Sequence, residues 1–139
     1  MLLKSKQQVE EFIKERGIKH FKVDEFKCKH CGEVMIESKL IEVLERLREH
    51  LGKPVVITSA YRCPEHNREI GGVPNSAHTR GYAVDIKVLS SATRYKILGF
   101  LIREGINRIG IAKDFIHFDL DPDKPKNVIW HYFGKSHIA

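Results

Sequence analysis

Three side chains of types that bind metals are spread across the middle of the chain: His78, Asp85 and His117. His78 lies in a loop of small and polar residues, whereas Asp85 and His117 each lie inside an apolar, β-type run. A carboxylate in such a run is costly to bury unless it is paired or bound to a metal. Two imidazoles and one carboxylate form a common ligand set for catalytic zinc, with the fourth position left for water. If the two runs pair as strands, Asp85 and His117 point to the same side, which favours one shared metal ion.

Hydrolysis at such a centre also needs a proton acceptor and an electrophile. Asp114 precedes His117 by three residues and is the candidate general base. Arg62 lies in a turn after an apolar run, and its guanidinium could bind an oxyanion or a substrate carboxylate in a fork. Each residue alone also fits an ordinary role: a core histidine, an ion pair of Asp85 with a nearby arginine, or a turn aspartate. Their joint spacing favours the chemical interpretation.

A second group of metal-binding residue types surrounds the chain's three cysteines, an odd number that argues against a disulfide framework. Cys28 and Cys31 are separated by two residues, and the same gap separates Cys63 from His66. The four residues could form a closed structural zinc site that holds the N-terminal turn against the Arg62 loop. Free buried thiols, or a disulfide from Cys63 to one partner, fit the same sequence.

The pattern around these residues predicts alternating helices and strands. Predicted helices begin near Ser5, Ser38, Pro64 and Ser90, and predicted strands cover 20–26, 55–58, 83–88, 108–112, 115–120 and 128–132. Residues 55–58 are β-branched and indicate a buried strand. The whole pattern predicts an α+β fold with helices packed on a mainly antiparallel sheet, in a single domain spanning residues 1–139.

The net charge and the distribution of apolar residues limit the kinds of partner that the protein can bind. The net charge of +6 favours anionic partners, but the basic residues are scattered, and no specific nucleic-acid ligand is predicted. No apolar run approaches the roughly 20 residues that a membrane-spanning helix needs. The first ten residues lack the apolar centre of a signal peptide. We therefore expect a monomer made in the cytoplasm that reaches an extracellular substrate by release or delivery, as phage enzymes do.

The sequence resembles a known protein family. Residues 76–85 fit the pattern Ser-x-His-x-x-Gly-x-Ala-x-Asp, which marks zinc D-Ala-D-Ala carboxypeptidases and L-alanyl-D-glutamate endolysin peptidases. These LAS-type metallopeptidases share a hedgehog-like fold. The turn 59–62, the Asp114-x-x-His117 spacing and the aromatic segment 130–132 resemble further motifs of this family. The resemblance extends from about Phe26 to Tyr132, with Ala60 in place of a usual glycine.

The resemblance implies a zinc peptidase that hydrolyses peptidoglycan stem peptides, as a D-Ala-D-Ala carboxypeptidase or an L-Ala-D-Glu endopeptidase. It implies these roles: zinc ligands His78, Asp85 and His117, general base Asp114, transition-state arginine Arg62, possible substrate contacts Ser76 and His131, and Gly81 beside the metal. The base is aspartate where several members have glutamate. Because the hedgehog signalling domain resembles the same family, a non-catalytic zinc-containing binding module is the alternative.

Overall fold

The computed structural model describes residues 1–133, so the last six residues of the predicted domain lie outside the described part. Four α-helices and seven strands form in these residues. The helices are α1 (Lys6–Glu15), α2 (Ser38–Leu51), α3 (Pro64–Glu69) and α4 (Ser91–Arg103). The strands are β1 (Leu2–Leu3), β2 (Ile36–Glu37), β3 (Ile57–Ser59), β4 (Ala83–Lys87), β5 (Arg108–Ile111), β6 (Phe115–Asp119) and β7 (Val128–His131).

The helix boundaries follow from local capping chemistry. Ser5 Oγ accepts a hydrogen bond from the backbone N–H of Gln8 at 3.1 Å and starts α1. Ser90 starts α4 in the same way, through the N–H of Thr93. Ser38 is the first residue of α2 rather than its cap, because the carboxylate of the preceding residue, Glu37, accepts from the N–H of Lys39.

The main sheet has five strands in the order β3-β4-β6-β5-β7. All neighbours are antiparallel except β5 and β7, which are parallel. The register places Asp85 and Gly110 on either side of His117, and Trp130 beside Gly110. Because side chains alternate along strands, these four residues share one face of the sheet.

The opposite face of the sheet belongs to the apolar core. Buried residues of the sheet and of helices α2 and α4 form one cluster, which includes Val84, Ile86, Ile116, Phe118, Leu40, Leu44, Leu47 and Leu101. This arrangement confirms the predicted α+β class with a mainly antiparallel sheet. Among residues 1–133, no helix combines the length and apolarity needed to cross a bilayer.

Two local predictions were wrong, and one strand pairing was not predicted. Residues 20–26 contain a 3-10 turn at Val23–Glu25 instead of a strand, because the Glu25 carboxylate accepts from the N–H of Lys22 at 2.9 Å. The run 55–58 is not a buried strand: β3 starts at Ile57, forms the edge of the sheet and leaves Val56 50% exposed. The pairing of β1 with β2 has no counterpart in the predicted elements, because two-residue strands carry no usable periodicity.

Candidate metal centre

The side chains of His78, Asp85 and His117 converge at one point. Asp85 Oδ1 lies 3.1 Å from His78 Nε2 and 2.8 Å from His117 Nδ1. Asp85 and His117 are cross-strand neighbours on β4 and β6, and His78 comes from the 3-10 turn Ala77–Arg80. All three are buried, and one donor atom from each lies within 4.8 Å of the others. The structure therefore brings together the three residues that sequence spacing singled out.

The outer nitrogen of each histidine is also occupied. His78 Nδ1 lies 2.7 Å from the carbonyl oxygen of Ala60, and His117 Nε2 lies 2.7 Å from Asp119 Oδ2. Asp119 is fixed in turn, because its Oδ1 accepts from Arg108 Nε at 2.7 Å. Metal-binding histidines characteristically donate their second ring N–H to a carbonyl or carboxylate. Both rings thus turn a nitrogen toward Asp85.

The cluster is strongly coupled electrostatically. Burial alone would raise the pKa of Asp85, but the two imidazoles hold it well below its usual range. Burial lowers the pKa of His78, and the nearby Asp85 only partly opposes this. Burial would also lower the pKa of His117, yet hydrogen bonds to Asp119 and Asp85 raise it to about 9. Without a metal, the centre thus holds an ionised Asp85 between a neutral His78 and a protonated His117, and His117 must release its proton when a metal binds.

The donor set fits zinc. Tetrahedral bonds of about 2.1 Å place two donor atoms roughly 3.4 Å apart. The observed separations of 3.1 and 2.8 Å are only slightly shorter, so a small opening of the cluster accommodates the ion. Two nitrogens and one carboxylate oxygen leave one tetrahedral position for another ligand.

Arg62 lies beside this cluster and is buried. Its NH1 donates to Asn67 Oδ1 at 2.8 Å, and its NH2 donates to Ser59 Oγ at 3.2 Å. Its backbone N–H donates to the carbonyl of His78. Burial lowers the pKa of Arg62, and the charge of the nearby Asp85 opposes that shift. The structure thus brings the predicted arginine to the centre and holds its guanidinium in place.

A cavity of about 400 Å³ opens beside His117. Ser76 and Trp130 line it, and the Trp130 ring lies 5.5 Å from that of His117. Tyr132 also lines it, and burial raises the pKa of its phenol to about 12, so the hydroxyl stays neutral. His131 lies at the cavity edge, but it alternates with Trp130 along β7 and stacks on Phe133.

Asp114 is not brought to the cluster. It is an exposed residue of the hairpin turn between β5 and β6, where its carbonyl accepts from the N–H of Val88. It lines a different cavity, together with Lys87 and Phe115. The three-residue spacing does not by itself bring Asp114 to His117, because three residues along an extended strand span about 10 Å.

Gly81 owes its identity to the backbone rather than to the metal. Its φ is +83°, in the left-handed region that favours glycine, and a Cβ would lie 2.9 Å from the backbone of Met35. The resemblance implied a position beside the metal, whereas in the structure a side chain at position 81 would collide with Met35.

The three cysteine sulfurs also converge, with all three Sγ atoms within 4.8 Å of one another. His66 does not join them through its ring; it donates its backbone N–H to Cys63 Sγ at 3.4 Å. Instead, His30 Nδ1 lies 3.5 Å from Cys63 Sγ. Burial would raise the pKa of Cys28, but nearby backbone N–H groups lower it to about 7.

Sequence reasoning missed Asp119, Arg108 and His30. Asp119 follows His117 by two residues, which places both on one face of β6, and this spacing could have revealed it. No local sequence feature points to Arg108, because its contact with Asp119 depends on how β5 pairs with β6. His30 stands between Cys28 and Cys31, so the Cys-x-His-Cys spacing could have revealed it.

An α+β fold with two histidines and one carboxylate buried beside a cleft is typical of zinc enzymes. The family model of peptidase M15 matches residues 19–119, which include the candidate ligands of both clusters. The chain belongs to peptidase family M15, the zinc D-Ala-D-Ala carboxypeptidase and LAS-type group that the motifs resemble. No curated protein matches the chain significantly.

Proposed function

We propose that the protein is a zinc-dependent peptidase that hydrolyses the stem peptides of peptidoglycan. The observation that carries the proposal is the convergence of His78 Nε2, Asp85 Oδ1 and His117 Nδ1 in a chain of family M15. The bond cleaved is D-Ala-D-Ala in a carboxypeptidase or L-Ala-D-Glu in an endopeptidase. The site of action is the cell wall, reached by release or delivery, and the active form is a monomer.

In this proposal His78, Asp85 and His117 hold the metal. Zinc bound there supplies a Lewis acid for the scissile carbonyl and lowers the pKa of water toward about 7. Arg62 stabilises the oxyanion or binds a substrate carboxylate. Its hydrogen bonds to Asn67 and Ser59 support this role, because a guanidinium fixed before the substrate arrives needs little reorganisation.

The cavity beside His117 is the proposed substrate cleft. Ser76 and Val73 from one loop and Lys124 from another line it, so two separate loops contribute to the cleft. Lys124 adds positive charge to a cleft that would receive a peptide carboxylate. The neutral Tyr132 hydroxyl can donate a hydrogen bond to the peptide.

The general base is proposed as Asp114 on the resemblance alone. It would take the proton of the attacking water and pass it to the leaving amine. Its exposed position, in the same turn as Lys113, gives no independent support, so the base must be tested separately from the metal ligands.

A second candidate is a non-catalytic zinc-containing binding module on the same fold. The observation that favours it is the separation of Asp114 from the His78–Asp85–His117 cluster. Such a module would bind zinc and stem peptides without releasing products.

Digestion of purified peptidoglycan fragments with mass analysis of the products tests these alternatives. A carboxypeptidase releases free alanine from pentapeptide stems, whereas an L-Ala-D-Glu endopeptidase releases a peptide that begins with D-Glu. We expect activity to disappear with a chelator, to return with zinc, and to be absent in His78→Gln. Activity that survives complete metal removal would refute the peptidase proposal. Zinc-loaded protein that binds stem peptides without cleaving them would favour the binding module.

A further inference from the structure

We infer that Cys28, Cys31, Cys63 and His30 bind a second zinc ion, which fixes the N-terminal segment against the turn that carries Arg62. This site goes beyond the proposed peptidase function and does not depend on it. All three cysteines are free, and their sulfurs already lie within 4.8 Å of one another. Zinc sites closed by three cysteines and one histidine are typically structural.

The backbone around Cys28 and Cys31 has a shape suited to two sulfur ligands. The N–H of Cys28 donates to the carbonyl of Glu33 at 2.7 Å, and the N–H of Gly32 donates to the carbonyl of Cys28 at 2.9 Å. Gly32 has a φ of +75°, so the chain turns back directly after Cys31. This tight turn places both sulfurs on the side that faces Cys63.

Backbone N–H groups point at two of the sulfurs. The N–H of Cys63 lies 3.4 Å from Cys28 Sγ, and the N–H of His66 lies 3.4 Å from Cys63 Sγ. Donors in this position stabilise thiolates, which are the metal-binding form of cysteine. Three converging reduced sulfurs, two of which have N–H donors directed at them, form a built metal site rather than a chance contact.

The fourth ligand is His30 rather than His66. His30 Nδ1 lies 3.5 Å from Cys63 Sγ, and its other nitrogen, Nε2, lies 3.7 Å from Glu69 Oε2. Metal-binding imidazoles usually have a carboxylate near the far nitrogen, and Glu69 lies there, just outside hydrogen-bond distance. The His66 ring stacks on the His30 ring at a centroid distance of 5.6 Å, so it supports the ligand from outside.

The position of the site defines its role. The N–H of Tyr61 donates to the carbonyl of Phe26, and Lys29 Nζ donates to the carbonyl of Thr58 at 2.6 Å. These contacts join segment 26–31 to the turn that contains Arg62, which is the neighbour of Cys63. A metal bound to both segments would restrain this turn and, through it, the guanidinium beside Asp85.

Cobalt substitution in the reduced full-length chain tests the inference. Metal-free protein titrated with Co²⁺ should develop intense near-ultraviolet absorption from thiolate-to-cobalt charge transfer. The His78–Asp85–His117 centre has no sulfur donor, so this absorption reports only the cysteine site. It should persist in His78→Gln, and zinc analysis of the wild-type protein should give two ions per chain. Absence of this absorption in the wild-type protein would refute the cysteine site. That result does not depend on the folding of any variant.

Matched variants test the ligand assignment. Cys31→Ser, at an exposed position, should weaken the charge-transfer absorption and reduce zinc to one ion per chain. His30→Gln should shift the visible cobalt bands, whereas His66→Gln should leave them unchanged. A shift with His66→Gln and none with His30→Gln would overturn His30 as the ligand. Cobalt–thiolate absorption in a protein without peptidase activity would support this site while refuting the proposed function.

Discussion

At the scale of single residues, His117 uses both ring nitrogens. Nδ1 faces Asp85, and Nε2 is bonded to Asp119, whose other oxygen accepts from Arg108. Asp119, which is itself held by Arg108, therefore fixes the orientation of the His117 ring. Asp119 contacts the His117 nitrogen that is turned away from Asp85, so we regard it as a positioning residue for the metal ligand.

Replacing Asp119 with asparagine should lower zinc affinity about 10–100-fold, because His117 loses its carboxylate partner. Competition with a chromophoric chelator measures this affinity without any assay of activity. Asp123→Asn is the matched control, since Asp123 lies in the adjoining loop with its side chain 74% exposed. Equal affinities in Asp119→Asn and Asp123→Asn would show that Asp119 does not position the ligand.

Asp114→Asn tests the proposed base. If Asp114 takes the proton of the attacking water, kcat on a stem peptide should fall by about 10²–10⁴-fold while zinc content stays the same. The asparagine is nearly isosteric, and the exposed turn should tolerate it. Unchanged turnover with bound zinc would remove Asp114 from the mechanism and direct attention to groups that line the cleft.

The three central ligands could be predicted from sequence because their types, apolar surroundings and motif spacing all agreed. Asp114 shows where that reasoning stops: the motif gives its separation from His117 along the chain, but not the side of the hairpin on which its carboxylate lies. The partnership of Asp119 with Arg108 depends on the register between β5 and β6, which sequence periodicity does not determine.

At the scale of elements, β5 has to leave room for the cleft. Gly110 lies opposite His117 and beside Trp130, and a Cβ at Gly110 would come within 2.6 Å of Trp130 Nε1. The missing side chain thus lets the indole lie across β5 against the His117 ring. Position 110 needs glycine because Trp130 packs directly against it, and not because of its backbone conformation.

Gly110→Ala should therefore displace Trp130 and destabilise the protein by about 1–3 kcal/mol, as overpacking does. Trp130 is the chain's single tryptophan, so a shift in intrinsic fluorescence reports its displacement directly. Gly99→Ala is the matched control, because a Cβ on that helical residue meets only Arg103 NH1 at 3.9 Å. Identical fluorescence and stability in wild type and Gly110→Ala would contradict the packing argument.

Helix α2 holds the preceding loop through a buried carboxylate. Glu45 accepts from the N–H groups of Lys19 and His20 at 2.8 and 3.1 Å. Burial alone would raise the pKa of Glu45, but these backbone donors lower it below its ordinary value. Ionised Glu45 therefore stabilises the fold above the unfolded pKa of about 4.3, and this stability is lost as pH falls through the lower folded value.

Glu45→Gln should reduce the free energy of unfolding at pH 7 by about 1–3 kcal/mol, because two partly buried N–H donors lose a charged acceptor. The difference from wild type should shrink in acid, below the folded pKa of Glu45. Urea unfolding at several pH values measures both effects. Glu42, on the same helix, forms long ion pairs with Arg16 and Arg46, so Glu42→Gln should change stability little. A difference that stays constant with pH would refute the ionic role of Glu45.

At the scale of the whole molecule, the sequence predicted the class, the helices and the central strands, because long periodic segments dominate the core. It failed at the N-terminal side, where short elements hold the structure together. The pairing of Leu2–Leu3 with Ile36–Glu37 and the 3-10 turn at Val23–Glu25 depend on single hydrogen bonds and contacts distant in sequence. The cysteine cluster lies in this same region, where segments with little regular structure must be joined to the sheet.

The ligands of the central cluster come from the turn Ala77–Arg80, from β4 and from β6, so they assemble only in the folded chain. Zinc at 100 times its Kd should then stabilise the fold by about 2.7 kcal/mol. Chelation should lower Tm by roughly 10 °C in a domain of this size, and zinc should restore it. Cys31→Ser provides the background for this experiment, because it removes the contribution of the cysteine site. Adding His78→Gln to that background should abolish the response of Tm to zinc, and a response that persists would place the stabilising ion elsewhere.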